Sequence, residues 1–304
     1  MTRWVDAPSS APVRPAVVAG SFYPAAPDRL RTLVRDQLVL AARLPGVRRA
    51  ATRTLPLGLL VPHAGIAFSG VTAAAGWTHL GVAANRGLTV VLLGTNHGAT
   101  WLDGVGVWSS GTWETPLGPV EVDHDVAAAI VALGRPFGVD LDAHELEHSI
   151  EVQLPMLQTI APAARIVPLA VSCGRGPTAV DAGERLGVLL RERRGAGERI
   201  VLAISTDLAH YPPHAACARV TETLVPPILA LDPVGLADTE ASTAAVHVRA
   251  MACGMCGIEP AVLGLAALRA MGATTGTRLA SATSAEAGGP PDRAVGYLSV
   301  RFDA

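Results

Sequence analysis

The chain has 304 residues, of which 50% are hydrophobic and 16% are charged, and its formal net charge is −2. This composition excludes a disordered chain, and the small net charge gives no reason to expect nucleic acid or an anionic membrane as a partner. The four cysteines are too few and too scattered for a disulfide scaffold. No run of roughly eighteen apolar residues occurs, and the first residues lack the apolar core of a secretion signal. We therefore expect a cytoplasmic protein.

The hydrophobic pattern alternates between helical and strand periods, which is typical of an α/β fold. We expect a single domain over residues 1–304, with helices flanking a central, largely parallel or mixed sheet. Short strands and turns at 104–122 indicate a hairpin at the sheet edge, and Asp123 can cap the next helix. The other predicted elements are an extended surface segment at 1–20, helices at 27–44, 69–82, 124–134, 147–160 (divided at Pro155), 177–194, 216–231, 234–249 and 257–271, strands at 57–62, 89–98, 165–171, 199–205 and 294–302, and a surface loop at 281–291.

Three of the predicted strands are each followed by a histidine, namely His63, His97 and His210. In open α/β sheets, ligands bind beyond the carboxyl ends of the strands, so these histidines are expected to share one crevice. Imidazole is a common ligand of iron, copper and zinc, and two histidines with one anionic ligand are typical of non-haem Fe(II) sites. The repetition predicts a metal site, although each histidine alone is more often a hydrogen-bonded loop residue.

Two further patterns offer metal-binding residues. Cys253 and Cys256 form a CxxC sequence, which suits a redox dithiol or half of a zinc site, but no second CxxC is present. Either cysteine can also be buried and inert. Residues 144–148 match the HExxH pattern of zinc proteases, yet the residues before them resemble a loop and Pro155 follows closely. The protease interpretation is therefore the weakest.

Asp207 and His210 are three residues apart and can share one face of a helical turn. A carboxylate beside a histidine holds its tautomer and raises its basicity, which gives a general acid or base. The alternative, equally supported locally, is that this segment only caps the end of a strand.

In combination, these residues resemble the Memo family (mediator of ErbB-driven cell motility; in prokaryotes, AmmeMemoRadiSam system protein B). The resemblance runs through most of the chain. The matching segments are Ala19–Tyr23, Pro62–Gly65 (P-H-A-G), Gly94–His97, Thr115–Gly118 (T-P-L-G), Glu147–Glu151 (E-H-S-I-E) with Leu154-Pro155, Ser205–His210, and Cys256–Pro260 (C-G-x-x-P). Val18, Ile66 and Gly98 depart from the family pattern, where polar or aromatic residues are common.

The resemblance implies a fold similar to class III extradiol dioxygenases. It implies one mononuclear metal held by His63, His97 and Cys256, with Fe(II) expected and copper or zinc as alternatives. It places His210, assisted by Asp207, as the acid/base group and His148 in the substrate pocket.

We expect an oxygenase-like enzyme that acts on a small chelating or catechol-like substrate. Trp113, with Trp108, can wall the pocket, unless both are edge-strand aromatics. The alternative function is a non-catalytic metal- or peptide-binding, redox scaffold. The expected partner is a small-molecule substrate. Assembly into a homo-oligomer is a further alternative. The resemblance also implies an association with radical-SAM proteins. This chain lacks the CxxxCxxC motif that binds their iron–sulfur cluster, so we expect any such role to be that of a partner to a radical-SAM protein.

Overall fold

The computed structural model describes residues 11–50, 54–81 and 87–304. Within these ranges, eight strands form a central sheet and three form a smaller one. The strands are β1 (Val13–Arg14), β2 (Gly58–Val61), β3 (Leu88–Thr95), β4 (Gly104–Val107), β5 (Thr112–Thr115), β6 (Gly118–Glu121), β7 (Phe137–Val139), β8 (Arg165–Ser172), β9 (Arg199–Ser205), β10 (Thr275–Thr283) and β11 (Gly296–Asp303). The helices are α1 (Pro27–Ala41), α2 (Pro45–Arg49), α3 (Ile66–Trp77), α4 (His124–Val131), α5 (Leu154–Ile160), α6 (Pro177–Gly195), α7 (His214–Leu229), α8 (Pro233–Ala245) and α9 (Ile258–Met271).

The central sheet has the strand order β10-β11-β2-β9-β3-β8-β4-β7. Strands β2, β9, β3 and β8 are parallel neighbours in its middle. Every residue of β3 is buried, as expected for a parallel strand covered on both faces. Antiparallel pairing joins β11 to β2 and β4 to β8, so the sheet is mixed. The predicted α/β architecture is confirmed.

Side chains of the central strands alternate between two hydrophobic cores, one on each face of the sheet. On β3, Val91 and Leu93 enter the core that α6, α7 and α9 cover, whereas Val90 and Leu92 enter the core under α1, α3 and α5. Burial of each such side chain contributes about 2 kcal/mol. The carboxyl ends of these strands are therefore held firmly, and the loops that follow start from fixed positions.

Most of the predicted helices agree with the structure to within a few residues. Asp123 caps α4 as expected, because its side chain accepts the Val126 N–H at 3.2 Å. The predicted helix at 27–44 is α1, which buries Leu30 and Val34. Among the helices of the described ranges, none has both the length and the apolar character needed to cross a membrane.

Two predicted elements differ from the structure in the middle of the chain. Residues 104–122 contain the predicted hairpin, formed by β5 and β6, but it belongs to the small sheet with β1 and not to the edge of the central sheet. The remaining strand of this region, β4, lies between β8 and β7 in the central sheet. The helix predicted at 147–160 begins only at Leu154, with Pro155 in its first turn, where the missing N–H costs nothing. Before it, residues 147–153 form turns and the short 3-10 helix Glu151–Gln153.

Two more differences lie near the ends of the chain. The predicted loop at 281–291 overlaps β10, a strand whose small and polar residues (TGTRLASAT) lack the usual strand signal. The predicted surface segment at 1–20 is described from residue 11 onward, and its first ten residues lie outside the described ranges. Arg14 is only 1% exposed and pairs with Glu151, so this segment is partly built into the core.

Candidate metal centre

Three neighbouring parallel strands end at one edge of the central sheet, and a polar residue follows each end. His63 comes two residues after β2, His97 two residues after β3, and Asp207 two residues after β9. Because β9 lies between β2 and β3, these three loops converge. The crevice predicted at the carboxyl ends of the strands is therefore where polar side chains collect.

Three imidazole rings meet at this edge, those of His63, His97 and His148. Their ring centroids lie 5.3, 5.4 and 4.5 Å apart. One ring nitrogen from each histidine lies within 4.8 Å of the others. Imidazole nitrogen suits iron, copper and zinc, so the chemistry of this donor set fits a single metal ion of that kind.

Glu147 fixes the orientation of His97. Its carboxylate accepts the His97 backbone N–H at 2.8 Å and lies 2.9 Å from His97 Nδ1. Burial disfavours the charged carboxylate, but the hydrogen bond and the charge interaction with His97 hold the pKa of Glu147 well below its usual range. Because an ionised carboxylate only accepts hydrogen bonds, the His97 proton lies on Nδ1 and the Nε2 lone pair is left for a metal.

A hydroxyl network fixes His63 in the same way. Ser205 Oγ donates to the Ser149 carbonyl at 2.7 Å, so it must accept from Gln153 Nε2 at 2.9 Å and from His63 Nδ1 at 3.1 Å. The His63 Nε2 lone pair therefore faces the cluster. Burial lowers the pKa of His63 to about 4 and also lowers the pKa of His148. Neutral imidazole is the form that binds metals.

Gly94 lets the segment that carries His148 lie directly against β3. A Cβ on Gly94 would lie 2.7 Å from Ser149 Oγ and 2.6 Å from Ile150 Cγ1. Ser149 Oγ also donates to the Thr95 carbonyl at 3.1 Å. This close approach places His148 beside the histidine that follows β3.

Cys256 contacts His63 at Nε2, the ring nitrogen that faces the cluster. Its Sγ is 3.3 Å from His63 Nε2 and accepts the Asp207 N–H at 3.3 Å. Burial, reinforced by the Asp207 carboxylate, raises the pKa of the Cys256 thiol well above its usual value. The three side chains whose donor atoms lie close together are those of His63, His97 and His148. The family resemblance instead implies Cys256 as the third metal ligand. Both side chains are thus candidates for a third ligand beside His63 and His97.

Asp207 and His210, the predicted acid/base pair, lie next to the cluster. Asp207 Oδ1 accepts the His63 N–H at 2.8 Å, and Oδ2 lies 3.8 Å from His210 Nε2, too far for a hydrogen bond. Burial opposes the charge on Asp207, but His63 and His210 hold its pKa below the usual value. Among the described residues, His210 Nε2 has no hydrogen-bond partner. This nitrogen is buried and its hydrogen-bonding capacity is unsatisfied within the described residues.

Trp113 does not line a pocket, contrary to the sequence-based expectation. Its side chain is completely buried, and the Arg14 guanidinium carbon lies 4.0 Å from the ring centroid. The rings of Trp108 and His144 pack edge-on against it at 5.7 and 5.6 Å. The reason is that β5 belongs to the small sheet, so Trp113 is enclosed by neighbours that are not part of the histidine cluster.

His144, the first histidine of the HExxH-like sequence, has a structural position. It is completely buried at the end of the 3-10 helix Asp142–His144, and its Nε2 donates to the Gly106 carbonyl at 2.9 Å. His148, by contrast, belongs to the metal-type cluster. The two histidines do not share one face of a helix, as a zinc protease would require.

We expect His144 to make the fold less stable in acid. Burial lowers its pKa to about 4, so as the pH falls from about 6.5 to 4 the unfolded chain takes up a proton that the folded chain does not. Between pH 7 and 5, this group alone should reduce the free energy of unfolding by about 2 kcal/mol. Urea unfolding should show a smaller acid-induced loss for His144→Gln than for the unmodified protein. An equal loss in both would contradict this.

Sequence reasoning missed the residues that orient the histidines. Gln153 carried no local signal, because its hydrogen bond to Ser205 joins positions 52 residues apart, and Ser205 was visible only as part of a matching motif. Phe22, whose ring centroid lies 4.5 Å from that of His148, was visible only as part of a matching motif. For Glu147, a carboxylate directly before a histidine was a signal that could have been used.

Comparison with known proteins agrees with the resemblance seen in the motifs. The profile of the family described as Memo-like protein matches residues 14–301. A MEMO1 family protein of Methanopyrus kandleri is 36% identical over 296 residues, which cover 95% of this chain and 98% of that protein. A MEMO1 family protein of Sulfolobus acidocaldarius is 34% identical over 296 residues, covering 95% and 99%. This chain therefore belongs to the Memo-like protein family.

Proposed function

We propose that this protein is a metal-dependent, oxygenase-like oxidoreductase that acts on a small molecule able to chelate the metal. The observation that supports it is the group of three histidines with ring nitrogens within 4.8 Å of one another. Imidazole suits iron, copper and zinc. The similarity of the family fold to class III extradiol dioxygenases favours Fe(II) among these.

In this proposal, His63 and His97 hold the ion, together with His148 or Cys256. The bound metal would supply Lewis acidity and redox chemistry toward O2 and the oxygen atoms of the substrate. The protein orients the ligands through the hydrogen bonds to Ser205 and Glu147 described above. Metal-ligating histidines are commonly oriented in this way, by a hydrogen bond to the ring nitrogen that does not bind the ion.

His210 is proposed to hold and transfer a proton at Nε2. This nitrogen has no hydrogen-bond partner among the described residues and lies 3.8 Å from Asp207 Oδ2. The Phe22 ring packs against His148, with the two ring centroids 4.5 Å apart. In this proposal, Phe22 provides an apolar contact and His210 provides the proton-transfer group.

A second candidate function is a non-catalytic metal- or peptide-binding, redox scaffold. The observation that favours it is the position of Cys256 Sγ, 3.3 Å from His63 Nε2. A thiolate ligand is softer than the carboxylate that complements two histidines in non-haem iron oxygenases, and it is itself oxidisable. Such a site can store a metal or respond to oxidants without turning over a substrate.

Oxygen uptake with a panel of catechols separates the two functions. Iron-loaded protein should consume O2 with at least one catechol, and His210→Ala should lose at least about 100-fold in rate, which is typical for loss of a general acid or base. Iron content should not change in His210→Ala. The exposed His124, which bonds only the Ser109 carbonyl among the described contacts, provides the control His124→Ala. No uptake by iron-loaded protein with any catechol would favour the scaffold.

A further inference from the structure

A surface cavity of about 440 Å³, open to solvent, lies beside the proposed proton-transfer histidine. The ring centroid of His210 is 5.4 Å from that of Tyr211, which forms part of the cavity wall. The volume of the cavity is in the range of small-molecule binding sites. The other lining residues are Arg249, Ala250, Asp292 and Arg293.

The cavity wall carries two guanidinium groups and one carboxylate. The Arg293 guanidinium carbon lies 4.1 Å from the Tyr211 ring centroid, a stacked position that limits its freedom. Among the described residues, Arg249 has no ion pair, and neither arginine is within ion-pairing distance of Asp292. The wall therefore has an excess of positive charge. Its two guanidinium groups have N–H donors that are available to an anion.

The backbone of this wall is strained. Tyr211 and Ala250 have φ angles of +74° and +62°, and Leu231 is the one other described non-glycine residue with positive φ. This left-handed backbone conformation is unfavourable for residues that carry a Cβ. Backbone hydrogen bonds from Tyr211 to the Ala294 carbonyl (2.7 Å) and from Ala252 to the His210 carbonyl (2.9 Å) maintain them. Strain that is retained in this way is typical of ligand-binding walls.

The same backbone contacts join the cavity to the reactive groups. Besides the bond from Ala252, the His210 N–H donates to the Cys253 carbonyl at 3.0 Å. The segment that follows Arg249 and Ala250 is therefore hydrogen-bonded to both the N–H and the carbonyl of His210. An anion bound in the cavity would hold the rest of its molecule at a fixed distance from that histidine.

We propose that this cavity is a subsite for an anionic group, a carboxylate or a phosphate, on the substrate. Arg249 and Arg293 bind the anion, and the remainder of the substrate extends past Tyr211 toward His210. The identification of this ligand as a substrate rests on the proposed function. Binding of the anion itself does not require the metal.

The test measures the equilibrium binding of three small probes by calorimetry at low salt. Phenyl phosphate and benzoate carry the two anionic groups, and benzyl alcohol is their neutral counterpart. We expect at least one anion to bind about tenfold or more tightly than benzyl alcohol, and Arg249→Gln and Arg293→Gln each to weaken it about fivefold or more. Asp292→Asn should tighten binding, because it removes the one negative charge from the wall. Arg29→Gln, on the exposed face of α1, should bind like the unmodified protein.

The anion that binds more tightly identifies which of the two groups the subsite takes. Unchanged anion binding in both arginine variants would overturn the proposal, as would anions that bind no more tightly than benzyl alcohol. Repeating the titration with His97→Ala separates this inference from the proposed function. The subsite predicts unchanged anion binding in that variant even if metal is lost, and a protein that binds metal but fails the arginine test refutes the subsite alone.

Discussion

Replacement of Glu151 by alanine should lower the free energy of unfolding by about 3–5 kcal/mol, because it leaves a buried arginine unpaired. Arg14 and Glu151 are 1% and 0% exposed, and Arg14 Nη1 donates to the carboxylate at 2.6 Å. The carboxylate also accepts the N–H groups of Val17 and Val18 at 3.0 Å each and the Tyr23 hydroxyl. One carboxylate thus anchors the whole described N-terminal segment.

Urea unfolding at neutral pH measures this effect. Asp181→Ala is a matched control, since it removes the carboxylate of the ion pair between Arg185 and Asp181, where the Asp181 side chain is 67% exposed. That variant should change the free energy of unfolding by less than about 1 kcal/mol. If Glu151→Ala were no less stable than Asp181→Ala, the buried pair would not hold the segment in place.

Replacement of Glu147 by glutamine should weaken metal binding about 10- to 100-fold, the usual effect of losing a group that orients a ligand. Glutamine keeps the size of the side chain but removes the charge that holds the His97 proton on Nδ1. It also weakens the bonds from the backbone N–H groups of His97 and Ser149, both 2.8 Å long. His97 would then rotate more freely, and part of its population would present the wrong nitrogen.

Competition against a metal-binding dye measures the affinity of each variant. Glu145→Gln is the control, because Glu145 is exposed and lies two residues away in the same segment. Its metal affinity should equal that of the unmodified protein. Equal affinities for Glu147→Gln and Glu145→Gln would show that Glu147 does not orient His97.

The sequence was most informative where local patterns determine structure. The apolar runs before His63, His97 and Asp207 predicted three buried parallel strands, and parallel strands must deliver their carboxyl ends to one edge. The position of the crevice followed from this geometry. Strand β10 was missed because its buried positions are few and its residues small.

Features that depend on long-range contacts were not predictable from local patterns. The segment at 147–153 was expected to be helical, but its side chains bond distant groups instead, as Gln153 does with the Pro62 carbonyl at 2.9 Å. The Arg14–Glu151 pair joins residues 137 positions apart. For the same reason, no spacing in the sequence showed that His148 would lie beside His97, and Trp113 was placed in a pocket although it is enclosed by Arg14.

Metal content after anaerobic purification with added iron is the most direct test of the proposed site. We expect close to one iron per chain in the unmodified protein and in the His124→Ala control, and almost none in His63→Ala or His97→Ala. Comparison of His148→Ala with Cys256→Ser identifies the third ligand. The variant that lacks this ligand should lose the iron as completely as His63→Ala and His97→Ala do, whereas the other variant should retain it. Iron retained at the unmodified level in His63→Ala and His97→Ala, or absent from the unmodified protein, would contradict a metal site at this edge of the sheet.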